Sequence, residues 1–214
     1  MDSKRAVEII KKLKKEYHIT KHYLDFKTPL QLLVAAILSA QVKDETVNAA
    51  TKELFKKFKT AKDYANASVE KLIKYIKKIN FAGNKARNII KTCKILVKDY
   101  KGKVPQNIEE LMKLPGIGRK TAVVIMAGAF NKVEGIAVDT HVIRLAYRLG
   151  WTKNKDPKKI EQDLMKLIPK KYWHEIQWLL KAHGRKICGR KPKCTECIIE
   201  KLCAKQGVDK KIKQ

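Results

Sequence analysis

The chain has 214 residues, enough to bury one or two cores, and carries 49 Lys and Arg against 21 Asp and Glu, a formal net charge of +28. No apolar run approaches the roughly 18 residues of a membrane span, and Met1-Asp2-Ser3-Lys4-Arg5 lacks the apolar core of a signal peptide, so an intracellular, cytoplasmic protein without a membrane partner is expected. Lysine enrichment for heat resistance usually brings Glu with it to form ion pairs; here the acids are too few, and nucleic acid is a better partner than an anionic membrane surface.

Ser3 is expected to cap a first helix with Val7, Ile10, Leu13 and Tyr17 on one side. Thr28 and Pro29 mark a cap and a first-turn proline. The helix they open, Leu30 to about Ala40, is apolar on most faces, which predicts a central core helix ending at Ser39-Ala40-Gln41. Asp44 is read as the cap of the next, with Val47, Ala50, Leu54 and Phe58 along one side. Ser68 opens a third, with Val69, Leu72, Ile73 and Ile76 at helical spacing. A fourth is predicted from about Asn84 to Lys101, where Cys93 shares a stripe with Ile89, Ile90 and Leu96 and reads as a small core residue. Asn107 caps a short helix carrying Ile108, Leu111 and Met112, and Thr121 to Phe130 is apolar nearly all round. Residues 131–138 have no helical period; 133–138 could be extended, but one short segment makes no sheet. Asp139-Thr140-His141 opens a helix stopped by Gly150, Asp156-Pro157 opens another ended by Pro169, and 171–184 carries Trp173, Ile176, Leu179 and Leu180 at helical spacing. The tail after Cys203 is polar and basic and is expected to fray. The fold class is all-α.

Between the short helix and the buried one lies Leu114-Pro115-Gly116-Ile117-Gly118-Arg119-Lys120-Thr121-Ala122. Pro115 ends the first helix, and Gly116 and Gly118 are expected to supply a tight turn with φ > 0. Backbone N–H groups leading into a helix N-terminus form a small anion site. The segment from about 107 to 130 therefore reads as a helix-hairpin-helix that grips a nucleic-acid phosphate without reading bases. An ordinary helical corner with a surface lysine is the plainer alternative.

Cys188, Cys194, Cys197 and Cys203 follow the spacing C-x5-C-x2-C-x5-C. Disulfides are rare in the cytosol, and sites with four cysteine ligands hold zinc or an iron–sulfur cluster. Zinc more often takes two separated C-x2-C pairs; with one such pair the spacing favours [4Fe–4S]. The loop Gly189-Arg190-Lys191-Pro192-Lys193 is basic and suited to touch a phosphate as well as to close the cluster.

The hairpin string, Val138-Asp139-Thr140-His141, Ser39-Ala40-Gln41, His183-Gly184-Arg185 and the four cysteines together resemble the endonuclease III family of DNA glycosylases, from about residue 5 to Cys203. The resemblance implies two helical domains flanking a DNA-binding groove. One is a six-helix domain over about 22–132 that contains the hairpin; the other joins 1–21 to 133–214 and carries the iron–sulfur loop 188–203. It implies base excision repair of damaged duplex DNA by a monomer associated with the nucleoid: excision of oxidised pyrimidines, then β-elimination at the abasic site through a lysine Schiff base. Lys120 matches the nucleophile and Asp139 the catalytic carboxylate. Gln41 matches the residue that fills the gap left by the flipped base, and Gly116, Gly118 and Arg119 fall in the DNA-gripping hairpin. Phe81 stands where members often carry a leucine wedge, which is expected to alter preference for the opposite base. Five residues, where the family usually has six, separate Cys188 from Cys194, which changes the DNA-facing shape of the loop holding Lys191.

The chemistry these residues can do agrees. A base in a duplex must be flipped out before its glycosidic bond is reached. Gln41 can then hydrogen-bond the orphaned base and Phe81 can stack in the gap; their plainer roles are a helix C-cap and a core aromatic. Lys120 must be neutral to attack C1′, and a helix N-terminus disfavours its ammonium form. Asp139 can stabilise cationic character at C1′ or move a proton, or simply cap its helix. His141 reads as a hydrogen-bonded helix residue. Two alternatives are a monofunctional mismatch glycosylase of the same fold, which Lys120 argues against, and a non-catalytic DNA-binding module, which Lys120 with Asp139 argues against.

Overall fold

A computed structural model of the chain describes residues 2–18 and 23–208. Among these residues every regular element is helical and no strand forms, including over 133–138. No helix among them is long and apolar enough to cross a membrane. The chain divides into two compact units, Lys21–Lys132 and Met1–Thr20 with Val133–Gln214.

The continuous unit opens with α2 (Pro29–Leu38), after α1 (Ser3–Tyr17) of the other unit. Thr28 caps α2 by accepting from Gln31 N–H at 3.2 Å, and every residue from Leu32 to Leu38 is buried, as a central helix requires. Next come α3 (Asp44–Lys57), α4 (Ala61–Ala65), α5 (Val69–Ile76), α6 (Ala82–Asp99), α7 (Ile108–Met112) and α8 (Arg119–Phe130). Asp44 is not the cap of α3. Lys43 holds that position without a side-chain bond, and Asp44 sits inside the first turn, where a carboxylate suits the positive end of the helix dipole. The short α4 had no periodic stripe to announce it; it is held by a capping box between Thr60 and Asp63. Helix α6 packs on α2, α4 and α5, and α2 packs on α3, α6 and α8. Cys93 is fully buried in α6, a core residue.

The discontinuous unit holds α1, α9 (Thr140–Arg148), α10 (Pro157–Leu167) and α11 (Trp173–Lys186), with short 3-10 turns at Lys170–Tyr172, Cys194–Glu196 and Glu200–Leu202. Asp2, not Ser3, caps α1, its carboxylate accepting from Arg5 N–H at 2.8 Å. Ile9, Ile10 and Leu13 of α1, Leu145 of α9, Leu164 of α10 and Leu180 of α11 meet in one core. The last segment is not loose as far as it is described: Val208 is buried and Gln206 N–H donates to Arg148 O at 3.1 Å. The rest of the tail expected to fray, 209–214, lies outside the described residues.

Candidate functional site

Asn107 caps α7 by accepting from Glu110 N–H at 3.0 Å, and the chain turns at Leu114-Pro115. Gly116 then takes φ +85°, a region that favours glycine. Gly118 does not: at φ −95°, ψ 174° it is extended and serves as the N-cap of α8. Only one of the two glycines is therefore needed for the turn itself, and the space around Gly118 is open, with nothing within 4 Å of where a Cβ would stand. Both glycines are exposed, while Arg119 and Lys120, the first two residues of α8, are half-buried. Lys120 thus stands in the first turn, at the positive end of the helix dipole. Two residues of α6 brace the turn from beneath: Thr92 Oγ1 donates to Pro115 O at 3.1 Å, and Asn88 lies beside Gly116.

Gln41 is exposed and adopts φ +56°, unusual for a residue with a side chain. Phe81 is not a core aromatic. It is 64% exposed at the N-cap of α6, also left-handed at φ +58°. Lys85, one turn further along α6, is buried and donates through Nζ to the carbonyls of Leu38 at 2.8 Å and Ala40 at 2.6 Å. Asn80 Nδ2 reaches Gln41 O at 3.5 Å. Sequence reading passed over Lys85, Asn88 and Thr92. The signal available was a lysine four residues before Ile89, on the edge of an apolar stripe.

In the discontinuous unit Asp139 is half-buried and caps α9: Oδ1 accepts from His141 N–H at 2.8 Å and from Val142 N–H at 2.9 Å. His141 is a hydrogen-bonded helix residue. Burial pushes its pKa down, and the Arg144 guanidinium, which can only donate, reaches its Nδ1 at 3.2 Å. Gly184 of α11 allows this packing, because a Cβ there would stand 2.6 Å from His141 Nδ1.

Cys188, Cys194, Cys197 and Cys203 line one cavity, together with Arg148 and His183. Arg148 is 8% exposed and fixes the first cysteine loop by donating to Cys188 Sγ at 3.3 Å, Gly189 O at 2.6 Å and Arg190 O at 3.0 Å. His183 is buried between Tyr17 Oη, 2.7 Å from Nδ1, and Cys197 Sγ, 3.6 Å from Nε2; burial lowers its pKa to about 4. Lys205 N–H points at Cys203 Sγ at 3.3 Å. Four thiols on one cavity, with N–H groups aimed at their sulfurs, are a donor set of the kind that soft, thiolate-seeking metals take. Among the described residues no three His, Cys, Asp or Glu side chains are disposed to hold a single ion. Lys191 is exposed on the loop that Arg148 holds.

A buried hairpin helix with a lysine in its first turn, among described residues that are helical wherever they are regular, is the setting in which comparison with known proteins places this chain. The chain belongs to the HhH-GPD superfamily of base excision DNA repair proteins, whose pattern matches residues 34–170. Within it the chain belongs to the endonuclease III family. It is 48% identical to the endonuclease III of Synechocystis sp. over 93% of this chain and 91% of that one. With the endonuclease III of Escherichia coli (strain K12) it shares 39% identity over 98% of this chain and 100% of the relative. A solved structure of a trapped endonuclease III–DNA covalent intermediate superimposes with a TM-score of 0.89 at 39% identity, covering 96% of this chain and 97% of that one. A thermostable thymine-DNA glycosylase is more distant, with a TM-score of 0.83 at 25% identity. The protein is a DNA glycosylase with AP lyase activity.

Proposed function

We propose that this enzyme excises oxidised pyrimidines from duplex DNA and cuts the abasic strand through Lys120. The observation that carries the reading is a half-buried lysine at the second position of α8, two residues after the second exposed hairpin glycine. Gly116, Gly118 and Arg119 hold a backbone phosphate of the duplex, with Lys191 as a further phosphate contact. Gln41 and Phe81 enter the gap as the damaged base leaves the stack. The neutral Lys120 amine attacks C1′; the C1′–N bond breaks, and the base departs with the bonding pair and takes up a proton. Opening of the sugar ring and loss of the amine proton give a protonated imine at C1′. A proton then leaves C2′, the C3′–O bond breaks, and the 3′-phosphate departs as the strand is cut. Water hydrolyses the imine and frees Lys120. Asp139 stabilises positive charge at C1′ while the base leaves.

Cys188, Cys194, Cys197 and Cys203 would hold a [4Fe–4S] cluster. The four thiols line one cavity, and their spacing, with a single C-x2-C pair, supports a cluster over zinc. When bound, the cluster supplies a thiolate cross-link that couples this segment to folding.

The test is borohydride trapping on a duplex with one thymine glycol. The wild type should give a covalent adduct that peptide mapping assigns to Lys120, and a nicked strand. Lys120→Gln should keep much of its duplex affinity, because one charge among many matters little there, and should lose the adduct and nearly all cleavage. Unimpaired cleavage by Lys120→Gln, or an adduct elsewhere, would favour attack by water and a monofunctional enzyme.

A further inference from the structure

One face of α6 carries Lys85, Asn88 and Thr92 at the i, i+3, i+7 spacing that aligns side chains along a helix. Thr92 and Asn88 reach the hairpin, at Pro115 O and Gly116. Lys85 reaches the other end of this face. It is 6% exposed, and its Nζ joins the carbonyls of Leu38 and Ala40, where α2 gives way to Gln41.

Burying an ammonium is costly unless donors are matched, and burial does push the Lys85 pKa down. A glycine cap or water would satisfy the same carbonyls at less cost. What the ammonium adds is a fixed exit path for the chain. Gln41 leaves that path with φ +56°, a strained conformation that persists only where its surroundings enforce it. From the exposed side Asn80 touches Gln41 O, one residue before Phe81. A gap-filling side chain held out in advance needs no ordering when the base leaves; a slack loop must be ordered at that moment.

We propose that Lys85 is a positioning residue for base extrusion: its ammonium clamps the Leu38 and Ala40 carbonyls so that Gln41 is presented rigidly to the helix stack, from the same face of α6 that braces the phosphate-gripping hairpin. This rests on the proposed function of Gln41.

Lys85→Met keeps the stem and removes the charge and donors. Three rates separate positioning from general damage: single-turnover release of thymine glycol from a fully paired duplex, its release from an unpaired bubble, and borohydride trapping at a pre-formed abasic site. For Lys85→Met, paired release should fall by about tenfold or more while the other two stay within about twofold, as expected when geometry rather than chemistry is lost. Lys85→Arg, which restores donors, should recover part of the paired rate. Asn80→Ala, at an exposed position that does not threaten folding, should show a smaller loss of the same selectivity. Wild-type paired release in Lys85→Met, or equal loss on all three substrates, overturns the inference. If Lys85→Met does not fold, Asn80→Ala decides: a loss confined to the paired duplex supports it, and no selective loss overturns it. A wild type that forms no adduct at all is instead the failure of the proposed function.

Discussion

Asn88 closes on Gly116: a Cβ built on the glycine would stand 3.1 Å from Asn88 Nδ2, at a backbone φ of +85°. The second hairpin glycine has neither constraint, since Gly118 is extended and has open space around it. The two positions should therefore respond differently to one added methyl group.

Gly116→Ala should lower stability by about 1–3 kcal/mol, the usual cost of a forced left-handed residue, and duplex affinity should fall with it. Gly118→Ala should change stability by no more than about 0.5 kcal/mol and still weaken binding to all duplex sequences alike, because in the proposed complex the added methyl would meet a phosphate and not the protein. Thermal melts and duplex titrations measure the two effects. Native affinity in Gly118→Ala would mean that the hairpin does not approach the DNA backbone at that residue.

Asp139 has two separable duties. As the cap of α9 it bonds two backbone N–H groups through Oδ1; as a carboxylate it stabilises charge at C1′ in the proposed reaction. Asparagine caps about as well as aspartate, whereas alanine loses about 1 kcal/mol. Asp139→Asn should melt like the wild type and yet release bases about 10²–10⁴-fold more slowly. Asp139→Ala should lose both properties. If Asp139→Asn excised a lesion at the native rate, the cap would be the residue's whole role.

Cysteine-to-serine changes at Cys188, Cys194, Cys197 and Cys203 should each lower iron and sulfide content and reduce soluble yield, because ligation of the proposed cluster would be coupled to folding of this segment. Cys93→Ala should leave iron and sulfide unchanged, since that thiol is buried in the core of the other unit. Anaerobically purified wild type should be yellow-brown, with iron and sulfide in near-equal amounts. A colourless protein carrying one zinc ion would sink the cluster assignment.

Phe81 is 64% exposed and packs into no core, so Phe81→Ala should leave the melting temperature within about 1–2 °C, as for other surface changes. Excision rates measured against each of the four opposite bases should nevertheless change in ratio, because a stacking ring is lost from the gap. Four rates that fall by the same factor would remove Phe81 from opposite-base selection.

Much of this protein is written locally. Thr28 and Pro29 announce α2, Asp139 announces α9, and the nine residues 114–122 announce the hairpin, because caps and turns are satisfied by atoms three or four positions away. The family was legible for the same reason: its signals are motifs and spacings along the chain. The cap of α3 was misread because lysine and aspartate stood side by side and the choice between them depends on the path of the incoming chain.

What only the tertiary structure decided are the contacts between segments distant in sequence. Lys85 lies 47 and 45 residues from the carbonyls it joins, Thr92 lies 23 from Pro115, and Arg148 lies 41 from Gly189. No periodicity encodes such pairs. A polar residue on the edge of an apolar stripe looks like a solvent-facing one until the neighbouring helix is present to supply its acceptor. The exposure of Phe81 was settled in the same way: the sequence allowed either a stacking residue in the gap or a core aromatic, and the fold leaves it 64% exposed at the left-handed N-cap of α6.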